Sequence, residues 1–158
     1  MWNVTRLARW ISAATLAVVC ALALVHAQRT EFRKGQVEIR RDDHTYTAPL
    51  FQIEGGSTLQ PMGKDRWLLG LVYRTARDAE PHVAARMALT GLTGPGNYVN
   101  KDIGNLVVEV DTDVWNFDSS QHTCTVTMTR LQGSGVEGSV ACAGEGVPFS
   151  QLRFTATP

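Results

Sequence analysis

The stretch HTCTVTMTRLQGSGVEGSVACA, residues 122–143, decides the fold class. Two runs within it, 122–131 and 136–143, alternate between apolar and polar residues, and residues 132–135 between them are typical of a hairpin turn. Because successive side chains of a strand point to opposite faces of the sheet, the pattern predicts an antiparallel hairpin with one apolar and one polar face.

The register of this hairpin follows from its turn. With the turn centred on Gly133, residues equally distant from it on the two strands face each other. The predicted pairs on the apolar face are Cys124 with Cys142, Val126 with Val140, Met128 with Gly138, and Arg130 with Val136.

Residues 1–27 have the three parts of a secretory signal peptide. Arg6 and Arg9 give a positive start, residues 11–25 carry no charge, and short side chains precede a cleavage site after Ala27. The apolar run is shorter than the roughly 20 residues that a membrane span needs, which favours cleavage over a retained anchor. Val19 stands before Cys20 where a lipid-attachment motif has a small residue, so a lipoprotein is disfavoured. The sequence therefore predicts export to the periplasm or out of the cell.

Cleavage leaves two cysteines, Cys124 and Cys142, which face each other in the predicted register. Export brings them into an oxidising compartment, where an even number of cysteines favours a disulfide. The two are 18 positions apart, unlike the closely spaced pairs of redox motifs, and a zinc site would need four ligands. We expect a structural bridge, worth about 3 kcal/mol in the chain-entropy treatment.

The composition excludes several classes of protein. The chain has 158 residues, 44% apolar and 19% charged, with 15 basic and 15 acidic side chains. A disordered chain, a collagen-like repeat and a strongly basic nucleic-acid binder are all inconsistent with these values. Without residues 1–27 the net charge is −2 and the length suits one domain. The predicted organisation is a signal peptide over 1–27, a short polar tail over 28–35 and one domain over 36–158.

Turn signals divide the domain into about eight short strands, which predicts an all-β fold, a single antiparallel β-sandwich or barrel. The clearest strand, 66–75, is apolar on both faces and is expected to be buried on both sides near its middle. Its first face comprises Trp67, Leu69, Leu71 and Tyr73, and its second face comprises Leu68 and Val72. Residues 83–92 alternate like a strand but are rich in helix-forming residues, and we favour the strand. Residues 54–65 are expected to form a loop, and 94–97 a turn.

The second half of the chain resembles a known group of proteins. The segment TGLTGPGNY at 90–98 is followed by CTVTMTR at 124–130 and VEGSVACA at 136–143. This order is similar to a loose group of small exported bacterial β-sandwich proteins, in which a Gly-x-Tyr strand precedes a Cys-bridged hairpin. The resemblance covers roughly residues 85–143. It implies the fold and export, and no catalytic residue, because the group is mostly without an assigned function.

The densest acidic cluster, Asp111, Asp113, Asn116 and Asp118, was compared with calcium-binding loops. It lacks the glycine and the final glutamate of an EF-hand loop, so we interpret it as a solvated turn and expect no metal or other cofactor. The histidines of the predicted domain, His44, His82 and His122, are not at metal-ligand spacing. They are expected to be exposed residues of turns or strand ends.

Trp115 and Phe117 stand out because they lie among Asp and Asn residues. An exposed tryptophan in an acidic loop is a candidate contact residue. We therefore predict a ligand surface that consists of Trp115, Phe117, Asp111, Asp113 and Asp118. Trp67 and Tyr73 are expected to belong to the core.

No catalytic motif is present. There is no G-x-S-x-G element, and Ser57 after Gly55 and Gly56 is an ordinary loop pattern. We expect a non-catalytic binding or envelope-associated module whose partner is an unidentified protein or envelope component, with no nucleic acid. The alternatives are a small-ligand or carbohydrate binder that uses the loop around Trp115 and, less favoured, a hydrolase with a spatially assembled triad.

Overall fold

The structure is a computed structural model that describes residues 29–158. The predicted signal peptide lies outside the described residues. Residues 29–158 form twelve β-strands and one 3-10 turn (Asn100–Asp102), and they contain no α-helix. The strands are β1 (Thr30–Glu31), β2 (Lys34–Arg41), β3 (His44–Pro49), β4 (Thr58–Pro61), β5 (Trp67–Arg74), β6 (Val83–Leu92), β7 (Gly96–Val99), β8 (Ile103–Val110), β9 (Asp113–Asn116), β10 (His122–Gln132), β11 (Gly135–Gly144) and β12 (Gln151–Thr157).

The strands form two antiparallel sheets of six strands each. The front sheet has the order β1-β4-β5-β6-β8-β9, and the back sheet has the order β3-β2-β12-β11-β10-β7. The predicted all-β sandwich is thus confirmed, whereas the expected number of about eight strands was too low. The missed strands β1, β4 and β7 have two to four residues each. Such short strands show no alternation, and Gly or Pro in β4 and β7 favours a loop or turn in sequence.

Residues 28–35 were expected to form a polar tail, and for residues 29–35, which the structure describes, this expectation was wrong. It contains β1 and the start of β2, and Phe32 between them is buried. The backbone N–H of Phe32 donates to Ser57 C=O at 2.9 Å in the front sheet, and that of Arg33 donates to Thr157 C=O at 2.8 Å in the back sheet. The segment therefore crosses from one sheet to the other.

The β10–β11 hairpin confirms the predicted disulfide. Cys124 and Cys142 are directly opposed with 4.1 Å between their Cα atoms, and they form a disulfide. The register is as predicted from this pair to Met128 and Gly138, but Arg130 pairs with Glu137 instead of Val136. Two physical features cause the difference, a two-residue turn at 133–134 and a β-bulge between Met128 and Arg130. Together they let Leu131 pair with Val136, and both side chains stay buried.

The core lies between the two sheets. Residues 83–92 form a strand, as favoured, and bury Val83, Ala85, Met87 and Leu89. The largest fully buried side chains come from both sheets and include Ile39, Leu69, Leu71, Tyr73, Leu106, Leu152 and Phe154. Each sheet thus supplies one apolar inner face, as the alternation predicts.

Two details show how closely the core is packed. A Cβ atom on Gly138 of β11 would lie 2.8 Å from Phe154 Cζ and 2.6 Å from the carbonyl oxygen of Thr127, so only glycine fits there. Tyr73 of the front sheet is fully buried, and its hydroxyl donates to Thr155 C=O of the back sheet at 3.0 Å. Burial raises the pKa of Tyr73 far above its ordinary value.

Candidate functional site

Of the ligand surface predicted around Trp115, the tryptophan itself is buried, whereas Asp111, Asp113 and Asp118 are exposed. Trp115 lies on β9 with 8% of its surface exposed, and its ring packs 4.9 Å from that of His122 and 5.3 Å from that of Phe149. Phe117 is half-buried and also packs against the core. The expectation of an exposed tryptophan was therefore wrong, because β9 turns this ring inward.

The three aspartates of that prediction accept hydrogen bonds from nearby backbone and side-chain groups. Asp111 has a left-handed φ of 54° after β8, and its Oδ1 accepts a hydrogen bond from His82 N–H at 3.1 Å. Asp113 accepts one from Arg41 at 2.7 Å. Asp118 accepts two from Ser120, which lower the pKa of its carboxyl group. Within residues 29–158 no group of three or more His, Cys, Asp or Glu side chains is placed to hold a metal ion.

The histidines differ from the expectation that all three are exposed. His44 is exposed and His82 is half-buried, but His122 is buried. His122 Nδ1 accepts the backbone N–H of Asp118 at 3.0 Å, so its Nε2–H donates to Glu145 C=O at 3.1 Å. In the part of the chain that the structure describes, no histidine ring hydrogen-bonds to a hydroxyl or thiol group.

Three of the five exposed large apolar side chains of residues 29–158 lie on the outer face of the front sheet. Phe51 is 38% exposed, Ile53 is 57% and Val114 is 57%. Val72 and Val107 lie on the same face and are half-buried, and the strand register links them through Arg86 of β6. We call these five residues the apolar face: Phe51, Ile53, Val72, Val107 and Val114. Apolar side chains gathered on one exposed surface are typical of an interaction site.

The outer face of the back sheet is different in chemistry. Its side chains alternate with the buried ones along each strand and are mostly polar or charged, with Val99 of the edge strand β7, 48% exposed, as an apolar exception. They include Gln36, Glu38, Thr45, Thr47, Thr125, Thr127, Glu137, Ser139, Arg153 and Thr155. A hollow of about 440 Å³ on this face is lined mainly by these polar groups.

A groove of about 400 Å³ crosses the outer face of the front sheet. The loop after β3 forms one wall, where Phe51 N–H donates to Val72 C=O at 2.8 Å and places Phe51 beside β5. The floor and the other wall come from β5, β6 and β8. We call this the Arg74–Arg86 groove, and the side chains that define it are Phe51, Ile53, Val72, Arg74, Ala84, Arg86 and Glu109.

The charges of the groove are not balanced. Arg74 pairs in register with Ala84, and Val72 pairs with Arg86, so the two arginines are diagonal neighbours on adjacent strands. Diagonal neighbours have Cβ atoms about 7–8 Å apart or slightly less. Within residues 29–158 neither arginine forms an ion pair, whereas Glu109 lies 3.4 Å from His82 Nε2. The groove therefore presents two free guanidinium groups beside apolar side chains.

Sequence reasoning did not find this groove, although one signal was present. The strand at 66–75 is apolar on both faces, and from this pattern the sequence predicts burial on both sides of the strand. In the structure Leu69, Leu71 and Tyr73 of the inner face are buried and Trp67 packs against the core half-buried. Leu68 and Val72 on the outer face are also only half-buried, because residues 29–158 place no third layer over the front sheet. The apolar outer face of this strand was thus the sequence signal of an exposed apolar surface.

No protein-family model, curated protein or solved structure matches the chain. Within residues 29–158 there is no helix that is long and apolar enough to cross a membrane.

Proposed function

We propose that this chain is an exported, disulfide-stapled β-sandwich that serves as a non-catalytic binding or envelope-associated module. The observation that carries the proposal is the apolar face. Both inner faces of the sandwich already supply a core, so the fold does not need Phe51, Ile53 or Val114 to be apolar. Exposed apolar groups that serve no folding role are best explained by a partner that covers them.

Two features support export. Residues 1–27 have the charge, length and final residues of a signal peptide that is cleaved after Ala27. The bridge between Cys124 and Cys142 is of a kind that persists in oxidising compartments. Intact mass of the protein recovered from the cell envelope or medium tests this proposal. Cleavage predicts a chain that begins at Gln28, and a chain that retains residues 1–27 would contradict it.

Site-specific photocrosslinking in the protein's own cells tests the binding role. A photoreactive residue at Ile53 on the apolar face is compared with one at Thr47 on the outer face of the back sheet, since both positions are exposed strand or loop sites. We expect reproducible adducts from position 53 and few from position 47. Equal labelling from the two positions, or none from position 53 in abundant folded protein, would contradict a binding role for the apolar face.

A further inference from the structure

We propose that the Arg74–Arg86 groove binds a single-chain anionic lipid, with its carboxylate or phosphate head between the two arginines and its acyl chain along Phe51, Ile53 and Val72. The inference rests on the proposed function and names the ligand class of the same face. The groove volume of about 400 Å³ lies in the usual range for small-molecule sites, about 300–1,000 Å³.

The charge of the groove selects an anion. Arg74 and Arg86 are diagonal neighbours whose planar guanidinium groups suit the geometry of a carboxylate or phosphate. The one carboxylate of the groove, that of Glu109, is 3.4 Å from His82 on the side away from β5. Even with this acid, two positive groups face one negative group across the groove, and the excess charge favours a single anionic head.

The position of the groove selects an acyl chain over a peptide. Its floor lies on β5 and β6, two interior strands whose backbone groups are paired with their neighbours. An extended peptide would bring its own N–H and C=O groups, and the paired backbone of β5 and β6 cannot bond to them. An acyl chain has no such groups to satisfy, and Phe51, Ile53 and Val72 provide the apolar contacts that it needs.

The wall of the groove is held in place before any ligand binds. Val72 N–H donates to Ser57 Oγ at 3.1 Å, and Val72 C=O accepts from Phe51, so the loop is bonded to β5 at both ends. Within the loop, Gly56 N–H donates to Ile53 C=O at 2.9 Å. A preformed wall reduces the ordering cost of binding.

The test is isothermal titration calorimetry of the exported protein with dodecanoate and dodecyl phosphate below their micelle concentrations. We expect saturable binding of one molecule per chain, and at least tenfold weaker binding by the double variant Arg74→Gln/Arg86→Gln, because charge-assisted hydrogen bonds are lost. Ile53→Ser should also weaken binding, by about threefold to tenfold. The matched control Arg40→Gln removes an exposed arginine from the outer face of the back sheet and should leave affinity unchanged.

Two further probes separate the head from the chain. Dodecyl maltoside, which is neutral, and inorganic phosphate, which has no chain, should each bind at least tenfold more weakly than dodecyl phosphate. Equal binding of dodecyl maltoside, an equal loss in Arg40→Gln, or no saturable binding would overturn the lipid proposal. If lipids fail while position 53 crosslinks to a protein, the binding role stands and the ligand class is wrong. If both experiments fail, the proposed function fails with it.

Discussion

The two sheets of this sandwich have inner faces of the same apolar chemistry and outer faces of different chemistry. Inside, both supply closely packed aliphatic and aromatic side chains. Outside, the back sheet carries mainly Thr, Glu and Arg side chains, whereas the front sheet carries the apolar face beside Arg74 and Arg86. Because folding demands only the inner faces, the outer faces are free to differ. The difference therefore points to a role of the front sheet beyond stability.

The sheets also differ in how they are held together. The disulfide joins β10 and β11 of the back sheet, and it is the one bridge that the two cysteines of residues 29–158 can make. The front sheet has no covalent link of this kind within the described chain and depends on its hydrogen bonds and core contacts. The back sheet therefore carries the covalent staple of the fold, and the front sheet carries the proposed binding face.

Removal of the disulfide has the largest expected effect. Cys124→Ala/Cys142→Ala should lose about 3 kcal/mol of unfolding free energy, because the bridge closes a loop with a sequence separation of 18. Urea unfolding of the exported protein measures the loss, and the reduced wild-type protein should match the double variant. If the front sheet alone forms the groove, dodecanoate affinity of the folded variant is unchanged. A loss of less than about 1 kcal/mol would show that the staple is not what supports the back sheet.

Glycine replacements compare the inner and outer faces directly. Gly138→Ala should cost about 2 kcal/mol, because the new methyl group would meet Phe154 Cζ at 2.8 Å in the core. Its matched control is Gly70→Ala on the outer face of the front sheet, where a Cβ atom meets nothing within 4 Å. That variant should be neutral or more stable by up to about 1 kcal/mol, since glycine weakens a strand. Thermal and urea unfolding of both variants give the comparison, and equal costs would contradict the packing argument.

The hydrogen bond between the sheets has a smaller effect with a distinct pH dependence. Tyr73→Phe should lose about 1 kcal/mol at pH 7, because Thr155 C=O loses a donor in the core. Burial raises the pKa of Tyr73, so the folded chain keeps a proton that the unfolded chain releases above the ordinary value of 10.0. Stability from this tyrosine is therefore present below pH 10 and is lost as the pH rises, by about 1.4 kcal/mol per unit. The advantage of the wild-type protein over Tyr73→Phe should vanish by about pH 11.

Urea unfolding between pH 7 and pH 11 measures this difference. Tyr46→Phe on β3 is the control, because its half-buried hydroxyl makes no hydrogen bond within the described residues. It should change the free energy of unfolding by less than about 0.5 kcal/mol at pH 7. A pH-independent difference between wild type and Tyr73→Phe would contradict the buried position of this hydroxyl.

The sequence was sufficient for most of the fold because the long strands have clear alternation. Residues 122–143 specified the hairpin and its disulfide, and the register failed only at the β-bulge between Met128 and Arg130. Such a bulge leaves no mark in an alternation pattern, because two residues then oppose one. Strands β1 and β4 were missed for a related reason, since pairing of two to four residues is decided by tertiary neighbours and not by local pattern.

The candidate site was harder to predict than the fold. The sequence drew attention to Trp115 because acidic residues surround it, but the structure buries this ring against His122 and Phe149. The Arg74–Arg86 groove combines residues from the loop after β3 with three strands, and no linear motif relates them. Only the pairing of β5 with β6 brings the two arginines side by side. A surface whose residues are brought together by strand register can therefore be recognised in the structure but not predicted from a linear motif.

The smallest expected effect concerns the ion pair that joins β2 of the back sheet to the edge strand β9 of the front sheet. Arg41 of β2 donates to Asp113 of β9 at 2.7 Å, and this hydrogen bond raises the pKa of Arg41. Both side chains are well exposed, at 33% and 60%, so water screens the attraction. Asp113→Asn should therefore lose only about 0.5 kcal/mol, and less in 0.5–1 M salt by charge screening. The control Asp43→Asn removes an exposed acid with no hydrogen-bond partner in the described chain and should have no effect. A loss above about 2 kcal/mol for Asp113→Asn would mean that the packing of the two sheets depends on this ion pair. The proposed division between a disulfide-stapled back sheet and a front sheet that is free to bind would then be wrong.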